Sequence, residues 1–314
     1  MAISAANSVF SVLPSHSLRV NPFKSLLTYR AFRPDPLDIE ETLSERFRLR
    51  RLGTNRLVAL SVGRTHWRAA VATFDKAGAA SFSEIVTSPN ATNREALNAW
   101  LAEYATQRKL KHVAVGMGHG FHATPLADVP RGMTDSECMR ILREEPARLF
   151  GDGVVADDAY VVAYNPHVDT SSIQFRIKAS ELAPVREVCA AAGLLICRLV
   201  CEQVQLIELA YSRMPEGRPD FRGILLTQPS SSLLIPLGQG GTWGLLHYDP
   251  DLDEQAVGNI HSAVEEVLPD NGKMAYIDTG MNSFGDLLHV LAAHNPTELF
   301  PSGPSAAFSA IVLN

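Results

Sequence analysis

The chain alternates between two hydrophobic rhythms. Runs of apolar residues every second position, or unbroken over five to eight residues, predict strands at 57 to 62, 67 to 74 and 81 to 87. From about Asn93 to Gln107 the period changes, and Leu97, Leu101 and Tyr104 fall on one helical face. "KHVAVGMG" then reads as a buried strand ending in glycines. "MTDSECMRILREEPARLFG" begins with Thr134 and Glu137 at capping-box spacing and predicts an amphipathic helix that Pro146 bends. Two strands, "AYVVAYNP" and "SIQFRIKA", follow. After them "SELAPVREVCAAAGLLICRLVCEQVQLIELAYSRM" predicts helix, strand and helix, the last with Val204, Ile207 and Leu209 on its apolar face.

The second half repeats the first. "RGILLTQPSSSLLIPLGQGGTWGLLHYD" predicts three strands turned at Pro229 to Ser231 and at Gly238 to Gly241. A helix over 253 to 268, a buried strand "KMAYIDTG" and a helix "FGDLLHVLAAH" complete the unit. Two strand-strand-strand-helix-strand units imply pseudo-twofold halves facing a cleft. "MPEGRPD", rich in proline, glycine and charge, is the best linker between them. The expected organisation is a basic N-terminal arm and helix over 1–55, a first domain over 56–214 with an inserted subdomain over about 132–180, and a second domain over 221–314.

Composition narrows the function classes. The chain has 314 residues, 46% of them hydrophobic, enough to bury a sizeable core and to exclude a disordered chain. A net charge of -6 argues against nucleic acid as partner. There is no run of about 18 apolar residues, so no spanning helix is expected and membrane attachment would come through a partner. Residues 1 to 34 hold no Asp or Glu but carry Arg19, Lys24, Arg30 and Arg33; they read as a contact arm or as an organelle transit segment. "PLDIEETLSERFRLRRLG", with acids first and arginines last, predicts a helix ending at Gly53. Cys138, Cys189, Cys197 and Cys201 lack disulfide or zinc spacing and read as reduced core residues.

Other constellations read as structure before chemistry. His112, His119 and His122 lack a completing ligand set and read as structural. Asp157 and Asp158, being adjacent, would face opposite sides of a strand. The serines of "QPSSSLL" lack the Gly-x-Ser-x-Gly elbow, and "GQGG" reads as a hairpin turn, since no Gly-Lys-Ser or Gly-Lys-Thr follows it.

The element order, together with "MTDSECMRILREEPARLF", "ELAPVREVCAAAGLLICRLVCEQVQLIELA" and "GPSAAFSAIVL", resembles the actin-like ATPase superfamily. Within it the chain resembles the PilM and GspL-type cytoplasmic proteins of type IV pilus and type II secretion machines. The resemblance covers about residues 56 to 312. It implies an α/β, actin-like (ribonuclease H-like) fold: two pseudo-symmetric domains, each a mixed sheet flanked by helices.

In that superfamily glycine turns hold phosphates through backbone N–H groups, and acids on the two hairpins anchor magnesium. Here the first turn, "LSVGRTHW", has Ser61 in place of the acid, then Gly63, Arg64 and Thr65. The second, "LLTQPSSS", has Thr227 in place of the acid, with Ser230 following. The adenosine turn, "IDTGMNSFGDLL", keeps Gly280 and offers Asn282 or Ser283 as helix caps, and Met281 is expected to crowd a purine. Arg64 or turn amides can still hold a phosphate, at roughly 1.5–3 kcal/mol per charge-assisted bond. Hydrolysis needs the metal.

The resemblance therefore implies a non-catalytic scaffold, with no required cofactor and ATP at most a structural ligand. It further implies a cytoplasmic location, peripheral to the inner membrane. Its expected partners are the cytoplasmic segment of an inner-membrane platform protein, a cytosolic ring or motor component, and further copies of itself. The alternative is an active ATPase or sugar kinase, with Asp75, Asp249 or Asp278 supplying the carboxylates.

Overall fold

The computed structural model describes residues 55–75, 79–126, 159–164, 172–214, 221–237, 244–248, 253–268 and 272–313. The arm and helix of 1–54, the helix expected over 133–151, Cys138, Asp157, Asp158, Asp249, the linker 215–220 and the turn 238–241 lie outside the described residues.

The first sheet is built around β1 (Arg56–Val62), whose side chains are buried from its second residue on. A strand covered on both faces needs an unbroken apolar run, and "LVALSV" supplies it, with Ser61 the one polar member. β1 pairs antiparallel with β2 (Trp67–Phe74) across the Gly63 turn. The strand expected over 81 to 87 is two short pieces, β3 (Ala80–Phe82) and β4 (Val86–Thr87), both on β2. Between them Ser83 uses its hydroxyl to accept from the Val71 N–H at 2.9 Å and breaks the ladder.

Helix α1 (Arg94–Arg108) crosses over, capped by Asn93, whose side chain accepts from the Ala96 N–H at 3.1 Å. It buries the predicted Leu97, Leu101 and Tyr104. β5 (His112–Met117) returns parallel to β1. A separate three-stranded sheet follows, ordered β6 (Phe121–Leu126), β8 (Ser172–Ile177), β7 (Ala159–Tyr164). Its first strand precedes the boundary of about 132 expected for an inserted unit. Then come α2 (Ala179–Ala191), β9 (Leu195–Cys201) and α3 (Glu202–Arg213), giving a first sheet ordered β3-β2-β1-β5-β9.

The second sheet repeats this plan. β10 (Phe221–Gln228), β11 (Ser231–Pro236) and β12 (Gly244–His247) form a meander, α4 (Asp253–Val267) crosses over, and β13 (Lys273–Asp278) runs parallel to β10. With β14 (Thr297–Glu298) the order is β12-β11-β10-β13-β14, strand for strand the order of the first sheet. The chain closes with α5 (Phe284–Val290), a 3₁₀ turn at Ala292–His294 and α6 (Pro304–Leu313).

One continuous core binds the two halves: Val58, Leu60 and Val62 of β1 belong to the same buried cluster as Ile224 and Leu226 of β10 and Ile277 of β13. Helix α3 lies between the two sheets, packed against β9, β10 and β13. Leu206, Ile207 and Ala210 are fully buried, and even Gln203 and Gln205 are sealed from solvent. The polar residues of such an all-round buried helix must find partners inside the protein, and that requirement builds the site.

Candidate functional site

Both hairpin ends point at the N-terminus of α3. Its first residue, Glu202, is 1% exposed and carries a carboxylate between the two halves. The Ser61 hydroxyl on β1 donates to Glu202 Oε2 at 2.8 Å, and Gln228 Nε2 on β10 donates to Oε1 at 2.9 Å. Gln228 is held in turn: its Oε1 accepts from the Ser231 hydroxyl at 3.1 Å, and its backbone oxygen accepts from the Tyr248 hydroxyl at 2.5 Å. A side chain added at Gly116 or Gly118 would come within 3.3 Å of Glu202 Oε2, so bare backbone lets β5 pass beside the carboxylate.

A second bridge runs beside the first. Arg68 on β2 sends Nη1 to the Thr279 carbonyl at 2.7 Å, joining the first sheet to the strand end of the second. The Asp278 carboxylate closes the turn after β13, with Oδ1 accepting from Thr227 Oγ1 at 2.8 Å and from the Met281 N–H at 3.0 Å, and Oδ2 from the Gly280 N–H at 3.0 Å. Burial pushes both carboxyls above their ordinary range. For Glu202 the opposing pulls are Arg68, Ser61 and Gln228; for Asp278 they are the Met281 N–H, Thr227, the Gly280 N–H and Arg68. Burial also lowers the Arg68 guanidinium, and Glu202 and then Asp278 raise it again. Arg68 is thus coupled electrostatically to both carboxyls.

The structure brings the expected residues together and assigns them different tasks. Ser61 and Thr227, the residues at the two missing-acid positions, are buried donors to Glu202 and Asp278. Gly63 makes the first turn, where a Cβ would stand 2.5 Å from the His66 carbonyl oxygen. Arg64 and Thr65 are exposed on that turn; the Thr65 carbonyl accepts from the Ala91 N–H at 2.7 Å. Ser230 is half-buried and gives its carbonyl to the Tyr248 N–H at 3.1 Å. Gly280 has φ of 105°, a value glycine alone adopts with ease.

Ser283 stands at the N-cap of α5, but its side chain makes no cap bond, and Asn282 is exposed. The Asp278 carboxylate orders the turn before this helix by accepting from the Gly280 and Met281 N–H groups. Met281 is buried with Tyr276, Phe284 and Leu287 in the second core cluster.

Asp75 is excluded from any such site by topology. It follows β2 at the end paired with Arg56, about 20 Å of strand from the Gly63 turn, and its Oδ1 accepts from the Ala79 N–H at 2.8 Å. Among the described residues no group of three His, Cys, Asp or Glu is arranged to hold a metal. His119 faces the Val62 carbonyl oxygen through Nδ1 at 3.1 Å, His112 opens β5, and His122 lies on β6 in register with Arg176. Cys189, Cys197 and Cys201 are buried thiols outside any disulfide; Cys197 and Cys201 sit four residues apart along β9, about 13 Å, too far to approach one another.

Sequence reasoning missed Glu202, Arg68 and Gln228. The one available signal was Glu202 itself, an acid opening a helix whose neighbours are almost all destined for the core.

No protein-family model matches the chain. No curated protein matches it either. Among solved structures it is similar to the PilM–PilN type IV pilus biogenesis complex, at 14% identity over 82% of this chain and 97% of that one, with a TM-score of 0.55. It is also similar to a protein of Bacteroides thetaiotaomicron with an actin-like ATPase fold and unknown function, at 8% identity over 83% and 96% of the two chains, TM-score 0.50. A match of 13% identity to the cytoplasmic domain of EpsL, an inner-membrane component of the type II secretion system of Vibrio cholerae, covers 70% and 81%, TM-score 0.45.

Proposed function

The chain has the actin-like ATPase fold, and we propose that it uses this fold as a non-catalytic scaffold. In this reading it is a cytoplasmic protein, peripheral to the inner membrane, that docks to the assembly platform of a type IV pilus or type II secretion machine. It does so by gripping a cytoplasmic segment of a membrane partner. Contacts with a cytosolic ring or motor component, and with further copies of itself, complete the reading. The fold's likeness to PilM in its complex with PilN is what suggests the machine.

The observation that carries the non-catalytic part is the Glu202 bridge. A magnesium nucleotide needs anionic ligands for the metal and open donors for the phosphates. Here the hairpin positions are the neutral hydroxyls of Ser61 and Thr227, and each oxygen of Glu202 and Asp278 already accepts at least one hydrogen bond inside the protein. An ionised Glu202 between the hairpins would also repel a phosphate. These residues do not fit a magnesium nucleotide, so ATP has at most a structural role, through Arg64 and the Gly63 turn.

One observation favours the alternative of an ATPase or sugar kinase: the carboxyls of Glu202 and Asp278 both lie close enough to the Arg68 guanidinium to raise its pKa. A calorimetric titration of the full chain with ATP, with and without magnesium, followed by a phosphate-release assay, separates the two. The scaffold reading expects no gain in affinity from magnesium and no turnover. Magnesium-dependent tight binding with steady phosphate release would overturn it.

A further inference from the structure

The connection from β5 to β6, Gly118-His119-Gly120, lies at the carboxyl ends of the parallel strands β1, β5 and β9. Sheets of this class present their reactive groups at such strand ends. The Val62 carbonyl, at the end of β1, accepts twice here, from the Gly118 N–H at 3.0 Å and from His119 Nδ1 at 3.1 Å. A carbonyl oxygen only accepts, so Nδ1 carries the proton and the neutral ring keeps its lone pair on Nε2. Nε2 has no hydrogen-bond partner among the described residues, and it is not among their sealed, unpartnered polar atoms. The lone pair therefore opens outward from a half-buried ring. Gly118 and Gly120, the latter with φ of 84°, add no side chain on either side of it.

Two charged groups act on this ring from two other elements. Arg64 stands two residues beyond Val62 on the first hairpin turn. Glu181 lies in the first turn of α2, its Cβ 3.6 Å from where a Cβ on Gly120 would stand. Both side chains are exposed, and neither has a side-chain partner among the described residues. Burial lowers the His119 pKa most; the Val62 bond and Glu181 pull it back up, and Arg64 lowers it again. At neutral pH the ring is thus an uncharged base in the fields of one cation and one anion.

We propose that His119 is a phosphoryl-accepting residue, modified at Nε2 by a donor that carries phosphoryl on nitrogen. In the step the Nε2 lone pair attacks phosphorus and a new N–P bond forms. The donor's P–N bond breaks, and its electron pair leaves with an amine that already holds its protons. No proton leaves the ring: Nδ1–H stays on the Val62 oxygen, and the imidazole becomes cationic. Phosphohistidine has the same bond type as this donor, so the exchange is like for like. Each neighbour has a part in the charge change. Glu181 and the Val62 carbonyl favour positive charge on the ring, whether a proton or a phosphoryl group brings it, and Arg64 attracts the phosphoryl oxygens. A metal is the competing use of such a ring, but no set of three His, Cys, Asp or Glu ligands forms among the described residues, and Arg64 would repel a cation. The step uses none of the side chains of the Glu202 bridge, so it stands independently of the scaffold reading.

The test incubates the full chain with potassium phosphoramidate in the absence of magnesium. Intact mass follows phosphoryl uptake, fragmentation under alkaline conditions maps it, and phosphorus NMR reads the ring position. Of the ten histidines in the chain, His119 reacts first, at Nε2, and acid removes the group. Its rate holds as pH falls into the range where an exposed histidine protonates, because burial keeps this ring neutral there. Arg64→Gln slows the reaction of His119 about tenfold, the worth of one charge-assisted hydrogen bond, with Tm unchanged. Glu181→Gln slows it about threefold, as suits an exposed charge acting through solvent. The proposal falls if the chain takes up no phosphoryl group, if other histidines react as fast as His119, if the group sits on Nδ1, or if Arg64→Gln reacts like the wild type.

Discussion

Replacing Glu202 by glutamine keeps the volume of the side chain and removes its charge, which isolates what the buried carboxylate costs. Burial raises the Glu202 pKa in the folded protein above the 4.5 of an exposed glutamate. The native state therefore holds this proton over a range in which the unfolded chain has already lost it. Stability depends on pH through the difference in bound protons, so it falls as pH rises from the ordinary carboxylate range through the raised folded-state value, and levels off above it. For one proton the steepest slope is about 1.4 kcal/mol per pH unit.

Glutamine at 202 still accepts from one neighbour and donates to the other after Ser61 turns its hydroxyl, so the bridge persists without the titration. Asp278, whose shift has the same sign, is present in both proteins and largely cancels in the comparison. Urea unfolding of wild type and Glu202→Gln across the acid to neutral range should give two curves that diverge, with the wild type losing stability relative to the variant as pH rises. Glu202→Ala, which strands the Ser61 and Gln228 donors and leaves Asp278 as the acid opposing Arg68, should cost roughly 1–3 kcal/mol per stranded donor. Parallel curves, or a wild type that gains on the variant with rising pH, would refute the buried, charge-bearing bridge.

Two further outcomes follow from single contacts. Gly280→Ala should lose about 1–3 kcal/mol in chemical denaturation, because φ of 105° is strained for alanine and the new Cβ would lie 3.1 Å from Arg68 Nη1. His294 is fully buried with Nδ1 3.2 Å from the Gly272 carbonyl oxygen and Nε2 2.9 Å from Glu265 Oε1, so His294→Ala should lose about 2–4 kcal/mol by the same assay, through lost packing and two lost partners.

The elements were legible where the side chains kept one period. The buried runs of β1, β5, β10 and β13 and the face of α1 lie within a residue or two of the ranges read from the sequence, since a strand sealed on both faces leaves little choice of residue type. The duplication of the sheet order was legible for the same reason. The stretch at 81 to 87 failed because a local bond, Val71 N–H to Ser83 Oγ, outcompeted the ladder. Ser83 has no feature in the sequence that distinguishes it from a strand serine facing solvent.

The site was half legible, and the division has a physical cause. An absence is visible in a linear sequence: neutral Ser61 and Thr227 can be read from their places in two similar hairpins. What fills the absence is not, because Glu202 meets Ser61 across 141 positions and Arg68 meets Thr279 across 211. The hydroxyls of Ser61 and Thr227 at the two hairpin ends are buried and must be satisfied inside the protein. In this chain a carboxylate supplied from the crossing helix does so, and Gln228, next to Thr227, reaches the same group from the other side. The acid of this chain stands on the helix between the hairpins, where its two oxygens accept one from each half. Such a bridge ties the two sheets together at the start of the helix that runs between them.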